Sequence, residues 1–146
     1  MSSDELRAAL ARSYVASADE DWAWVEAGVA DAGLPASPMG FHAQQTIEKL
    51  LKALLITFGV EPEEQHSIAR LVQQIARLDR SVAEAIAATT QLTPYAVHHR
   101  YPPRNPLATR TVNRKEVLEI VRVAREAYPI LEAAINARLE RLPLER

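Results

Sequence analysis

The chain has 146 residues, no cysteine and a formal net charge of −2 at neutral pH. The length predicts a single domain over residues 1–146, and the lack of cysteine excludes a disulfide framework and a thiolate active site. Residues 2–6 are polar and acidic, and no long apolar run follows, so we expect neither a signal peptide nor a membrane span. We therefore predict a cytoplasmic protein. Alanine, leucine, glutamate and arginine dominate, which favours helices.

The first predicted helix covers about residues 3–31. Ser2 and Glu5 have the spacing of a capping box, in which each side chain accepts a hydrogen bond from the other residue's backbone. The apolar residues of this helix are Leu6, Leu10, Tyr14, Trp22, Trp24, Val25 and Val29. We expect both tryptophans to pack in the core, because aromatic side chains dominate core energetics. We expect the acidic run Asp19-Glu20-Asp21 to face water.

The chain is organised around residues 41–58, FHAQQTIEKLLKALLITF. Steps of three and four place its apolar residues on one wide stripe of a helix that starts with Ser37 as N-cap and Pro38 at its first position, and ends at Gly59. The stripe comprises Ile47, Leu50, Leu51, Leu54, Leu55 and Phe58. A second, polar strip comprises His42, Gln45, Glu48, Lys49 and Lys52. This polar strip is either a solvated face with a Glu48–Lys52 ion pair or a binding surface.

Two shorter helical segments follow a polar link. Ser67 is a candidate N-cap for a third helix, whose apolar residues recur at steps of three and four. Ser81 and Glu84 have capping-box spacing and open a fourth segment that runs to Leu92.

The chain after residue 92 is interrupted by prolines. Thr93-Pro94 can cap a short helix over residues 94–100, and three prolines make residues 101–106 a loop, because proline lacks the backbone donor and fixes φ. Asn113 is the expected N-cap of a long last helix, with Glu116 as its capping-box partner. No segment alternates as a strand does, and the loops between long helices are short. We therefore predict an all-α fold, an up-and-down bundle of four to five helices.

The charge is unevenly distributed along the chain. Residues 85–115 contain four arginines, one lysine and no Asp or Glu, so this segment carries +5 and the remainder −7. A basic segment in an acidic protein can attract phosphate or an acidic partner. The alternative is a solvated loop whose arginines pair with acidic helices of the same chain.

Few residues suggest a catalytic or metal centre. The chain has no glycine-rich phosphate loop, and no serine or threonine is tied by its spacing to a His and an Asp. His98 and His99 are adjacent, so on a helix they point about 100° apart and do not both bind one metal. His42 and His66 each stand alone. We expect no metal site, no cofactor and no enzymatic activity.

The segment from Tyr95 to Pro103 combines aromatic and basic side chains. Arg100 can bind a phosphate and Tyr101 can stack on a base. The alternative is that Tyr95 and Tyr101 pack into the bundle while Arg100 forms a salt bridge with Glu48.

These motifs together resemble the HEPN domain family. The resemblance rests on HAQQTIEKLLKALLI at residues 42–56, a short polar link to His66, the set Leu92, Tyr95, Arg100, Tyr101 and Pro102, and a long final helix; it covers about residues 3–139. It implies a four- or five-helix bundle, usually dimeric, whose members are nucleotide-binding modules, partners of minimal nucleotidyltransferases or RNase toxins. It places the functional groove near Gln45, Glu48, Lys49, Lys52, Tyr95, Arg100 and Tyr101.

The chain departs from the RNase members of that family. Those members resemble one another in an Arg and a His separated by four to six residues, which together activate a ribose hydroxyl and stabilise the phosphate. Here the required arginine positions hold Gln91, Leu92, Thr93 and Pro94. His99-Arg100-Tyr101 retains the His-x-Tyr context in which some toxin members are modified on the tyrosine, and His99 joins the candidate site for that reason.

Three hypotheses follow. The first is a non-catalytic module, half of a toxin–antitoxin pair, that binds a nucleotide or RNA, a minimal nucleotidyltransferase, or both. The second is an RNase toxin that uses His98, His99 and Arg100. The third is a structural dimerisation domain. The apolar stripes of the second and last helices exceed what one bundle face needs, so we expect a homodimer.

Overall fold

The computed structural model describes residues 2–63, 67–98 and 112–142. These residues form seven helices and no strand: α1 (Ser3–Ala30), α2 (Ala36–Thr57), α3 (Ile68–Ala76), α4 (Arg80–Ala85), a 3₁₀ helix (Ala87–Leu92), α5 (Tyr95–His98) and α6 (Arg114–Arg141). The prediction of an all-α helical bundle is confirmed. None of the helices in these three ranges is long and apolar enough to cross a membrane.

α2 is the central helix of the bundle and packs against α1, α3, α5 and α6. Its predicted apolar stripe is buried, including Ile47, Leu50, Leu51, Leu54 and Leu55. Burying one such side chain contributes about 1.5–3 kcal/mol to folding. The α2 stripe is therefore used within a single chain. The homodimer stays a prediction.

α1 begins with the predicted capping box: the Ser2 hydroxyl accepts from the Glu5 amide at 3.1 Å, and Glu5 accepts from the Ser2 amide at 3.0 Å. The residues that α1 buries recur at steps of three and four and include Ala8, Ala11, Ala18 and Val25. Three of these are alanines, so α1 turns mainly small side chains to the core. The distance between two packed helices depends on the side chains at their contact. The larger Leu6 and Leu10 remain exposed.

Two predictions about α1 are wrong. Trp24 was expected in the core, but 64 % of it is exposed, because it lies on a different face of α1 from the buried alanines. Asp21 was expected to face water, but it is only 8 % exposed, because its carboxylate is held by polar side chains of α2. Trp22 packs as predicted, against the core and the ring of Tyr128, whose hydroxyl also donates to Asp19.

Arginines from α6 donate hydrogen bonds to backbone carbonyls at the C-terminal ends of α1 and α2. Arg114 donates to the carbonyls of Gly28 and Val29 at 3.0 and 3.1 Å, at the C-terminal end of α1. Arg138 donates to the Thr57 carbonyl at 3.3 Å, at the end of α2, and its guanidinium lies 4.0 Å from the centre of the Phe58 ring. A cation at these positions satisfies terminal carbonyls and complements the helix dipole.

Several predicted helix starts are shifted. α2 begins at Ala36 with Pro35 as N-cap, two residues before the predicted start. Pro38 then lies in the first turn, where a backbone N–H would have no partner within the helix. The N-cap of α4 is Asp79, whose carboxylate accepts from the Val82 amide, and the predicted Ser81–Glu84 box does not form.

The predicted N-caps of the third and the last helix are both observed. Ser67 caps α3 as predicted. Asn113 caps α6, but the Glu116 side chain accepts a hydrogen bond from Tyr95. The predicted fourth segment is α4 followed by the 3₁₀ helix, and the short helix after Pro94 is α5, which ends at His98.

Candidate functional site

α1 and α2 run antiparallel and place two sets of polar and aromatic side chains opposite each other. On α1 the set follows steps of three, four and seven: Arg7, Leu10, Tyr14, Asp21 and Trp24. On α2 it is the predicted polar strip. Trp24 stacks on His42 with ring centres 6.0 Å apart, and at the other end Arg7 lies against Gly59. We call this surface the α1–α2 face.

Asp21 is the centre of the face. One carboxylate oxygen lies 2.8 Å from Nδ1 of His42, and the other lies 2.5 Å from Nζ of Lys49. A carboxylate only accepts hydrogen bonds, so both groups donate to it. The negative charge of Asp21 is therefore matched by Lys49, and the orientation of the His42 ring is fixed.

Glu48 is the second buried acid of the strip. It is 2 % exposed, and its carboxylate accepts from the Gln44 amide at 3.0 Å and pairs with Lys52 at 3.2 Å. The predicted Glu48–Lys52 pair is confirmed, but the solvated-face reading of the strip fails at Glu48, because this residue is buried. Oε1 of Gln44 is buried and accepts no hydrogen bond within the described ranges.

A cleft of about 420 Å³ opens at the Lys52 end of the face. We call it the Arg7–Lys52 cleft. Tyr14 and Leu10 form its α1 wall, and Gly59, Val60, Glu61 and Pro62 form the opposite edge. Gly59 has φ of +74°, a conformation that favours glycine, and a Cβ there would lie 2.8 Å from Cζ of Arg7. The turn after α2 is thus shaped to receive the Arg7 guanidinium.

Two cations lie at the Arg7–Lys52 cleft. Arg7 forms an ion pair with Asp4 at 3.4 Å, and its side chain is 42 % exposed. Lys52 pairs through Nζ with the buried Glu48, which holds its ammonium group beside α2. Exposed pairs such as Arg7–Asp4 contribute about 0–1 kcal/mol, so the guanidinium can be recruited by a stronger anion.

Tyr95 lies on another side of α2. Its hydroxyl donates to Glu116 on α6 at 2.5 Å, and its ring packs so closely on Gly40 that a Cβ there would be 2.7 Å from Cδ1. Gly40 and Lys49 are nine residues apart, which is about 180° around a helix. The structure therefore brings Lys49 and Lys52 to one surface and places Tyr95 at the α2–α6 contact.

The remaining predicted site residues are placed as follows. Gln45 is half-buried on the α1–α2 face, in the same strip as Lys49. His99, Arg100 and Tyr101 lie outside the described residues. The sequence analysis predicts no metal site. Within the described ranges, no three His, Asp or Glu side chains are arranged to hold a metal ion.

The sequence interpretation missed the α1 half of the face. That interpretation places Tyr14 among the apolar residues of the first helix and Asp21 in water, and it does not single out Arg7. The available signal was their shared spacing, which matches the three- and four-residue steps of the strip on α2.

A family model described as HEPN domain matches residues 36–134. The chain belongs to the HEPN domain family. The matched range contains α2 to most of α6, and α1 precedes it, so the α1 wall of the Arg7–Lys52 cleft is not part of the match. No match was found among curated proteins or among solved structures.

Proposed function

We propose that this HEPN chain is a non-catalytic module that binds a nucleotide in the Arg7–Lys52 cleft. The observation that supports this proposal is the pairing of two cations with a tyrosine ring in a cleft of about 420 Å³. The sequence supports the lack of catalysis, because no Arg precedes a His by the four to six intervening residues found in the RNase members of the family.

The cleft offers a separate partner for each part of a nucleotide. A phosphate lies between the Arg7 guanidinium and the Lys52 ammonium, where charge-assisted hydrogen bonds are strong. The base packs on the ring of Tyr14, with Leu10 and Val60 as apolar neighbours. Glu61 at the edge is placed to repel a second negative group, which favours one phosphate over a long polyphosphate.

Titration calorimetry of the full chain with AMP and with adenosine tests the proposal. AMP should bind, and adenosine should bind at least about tenfold more weakly, because it lacks the charge-assisted bonds. Lys52→Met and Arg7→Met should each weaken AMP by about tenfold. Arg12→Met is the control for Arg7, because Arg12 is an exposed cation of the same helix that does not line the cleft.

We further propose that a minimal nucleotidyltransferase is the protein partner and that the basic segment 85–115 meets its acidic surface. Within this segment Arg114 is occupied by the carbonyls at the end of α1, whereas Lys115 is exposed. Co-expression with the product of the neighbouring gene should yield a stoichiometric complex with a nucleotidyltransferase, and high salt should weaken it. Purification of a homodimer without a nucleotidyltransferase would contradict this part of the proposal. The nucleotide site is tested separately by the calorimetry with AMP.

The RNase alternative has its own test. Purified chain incubated with RNA between pH 5 and 9 should leave the RNA intact. Cleavage that His99→Ala abolishes would replace the non-catalytic proposal with the toxin hypothesis.

A further inference from the structure

A second pocket lies at the opposite end of the α1–α2 face from the Arg7–Lys52 cleft. It has a volume of about 240 Å³ and is lined by Trp24, Gly28, Leu34, Pro35, Met39 and His42, among others. Its walls are mostly apolar, and among the described residues that line it His42 is the one titratable side chain. His42 and Lys52 are ten residues apart on α2, or about 15 Å along the axis, so the two pockets are separate.

The exposure of Trp24 is not explained by packing within the chain. Trp22, two residues earlier, packs on Tyr128 and the core, whereas Trp24 is 64 % exposed at the rim of an open apolar pocket. Leu34, across the same pocket, is 44 % exposed. Exposed apolar side chains that converge on a concave surface with one polar group are typical of a binding site.

His42 supplies that polar group in a defined tautomer. The Asp21 carboxylate accepts from Nδ1–H, and Lys49 keeps Asp21 in place. In the neutral ring, Nε2 is then an acceptor. No other polar partner of the His42 ring is seen in the described ranges, so Nε2 is available to a molecule in the pocket.

We infer that this pocket binds a small planar aromatic ring that carries an N–H group. The ring packs against the exposed indole of Trp24, and its N–H donates to Nε2 of His42. The pocket volume suits one fused ring system. This inference is independent of the nucleotide proposed for the Arg7–Lys52 cleft.

Two isomers provide a matched pair of probes. 3-Methylindole has the ring N–H, whereas 1-methylindole has the same size and lacks it. Titrations of the full chain are followed by the indole N–H signals in proton–nitrogen NMR spectra. The chain has two tryptophans, so the Trp24→Phe variant assigns the signals.

3-Methylindole should shift the Trp24 signal saturably and bind at least about threefold more tightly than 1-methylindole, the range expected for one neutral hydrogen bond. Trp24→Ala should abolish binding, whereas Trp22→Phe should retain it. Because the Trp24→Ala variant lacks the Trp24 signal, its binding is measured from the NMR signals of the ligand. His42→Phe should keep ring binding but remove the preference between the isomers. The inference is overturned by no saturable shift of Trp24, by equal affinity of the two isomers for the unmodified chain, or by full binding to Trp24→Ala.

Discussion

The carboxylate of Asp21 on α1 joins Nζ of Lys49 on α2 at 2.5 Å, in a position that is only 8 % exposed. The same carboxylate holds Nδ1 of His42. One acid of α1 thus fixes two side chains of α2, near the middle of the α1–α2 face. This contact connects the fold to the proposed binding surfaces, because the orientation of His42 depends on it.

Asp21→Asn should therefore destabilise the protein by about 1–3 kcal/mol in urea unfolding. The neutral amide leaves a half-buried ammonium without its counter-charge, and the cost is lower than for a fully buried pair because Lys49 can reach solvent. Glu20→Gln is the control, since it makes the same charge change one residue away at an exposed position. Equal effects of the two substitutions would contradict the role assigned to Asp21.

Gly40→Ala should destabilise the chain by about 1–3 kcal/mol, because the new methyl group would lie 2.7 Å from the Tyr95 ring and force it away from α2. Gly33→Ala is the matched control: its nearest neighbour is the exposed Asp31 carboxylate at 3.2 Å. Thermal unfolding of both variants measures the difference. A Gly40→Ala protein as stable as the unmodified chain would show that the α2–α5 contact is looser than described.

Arg114→Met should loosen the end of α1. The substitution removes two charge-assisted bonds to the Gly28 and Val29 carbonyls, with an expected loss of about 1.5–3 kcal/mol. Lys115→Met removes an exposed cation from the next position and should cost less than about 0.5 kcal/mol. Hydrogen exchange should rise at the C-terminal turn of α1 in the Arg114 variant alone; unchanged exchange there would contradict the capping role.

The parts of the fold that the sequence predicts are those governed by local rules. The α2 stripe follows from the three- and four-residue steps of Leu50, Leu51, Leu54 and Leu55, and the caps at Ser2 and Ser67 follow from side-chain chemistry within one turn. These features require no knowledge of a neighbouring helix.

The features that the sequence does not predict depend on which helix lies opposite. Two sets of residues on α1 recur at helical spacing, so the sequence alone offers two possible core faces. The buried face contains Ala8, Ala11 and Ala18, whereas Trp24 is exposed. Size alone assigns the tryptophan to the core, and charge alone assigns Asp21 to water. Only the antiparallel contact with α2 shows that a carboxylate at position 21 meets Lys49 and His42.

The proton–nitrogen NMR spectrum of the full chain, titrated with AMP, tests the central claim most directly. Binding in the Arg7–Lys52 cleft should shift the backbone signals of Gly59 and Val60, together with those around Arg7 and Tyr14, in a saturable manner. Signals around Gly40 and Tyr95, at the α2–α5 contact, should remain unchanged. A spectrum that AMP leaves unaltered, or shifts confined to residues outside the cleft, would contradict the claim that this HEPN chain binds a nucleotide there.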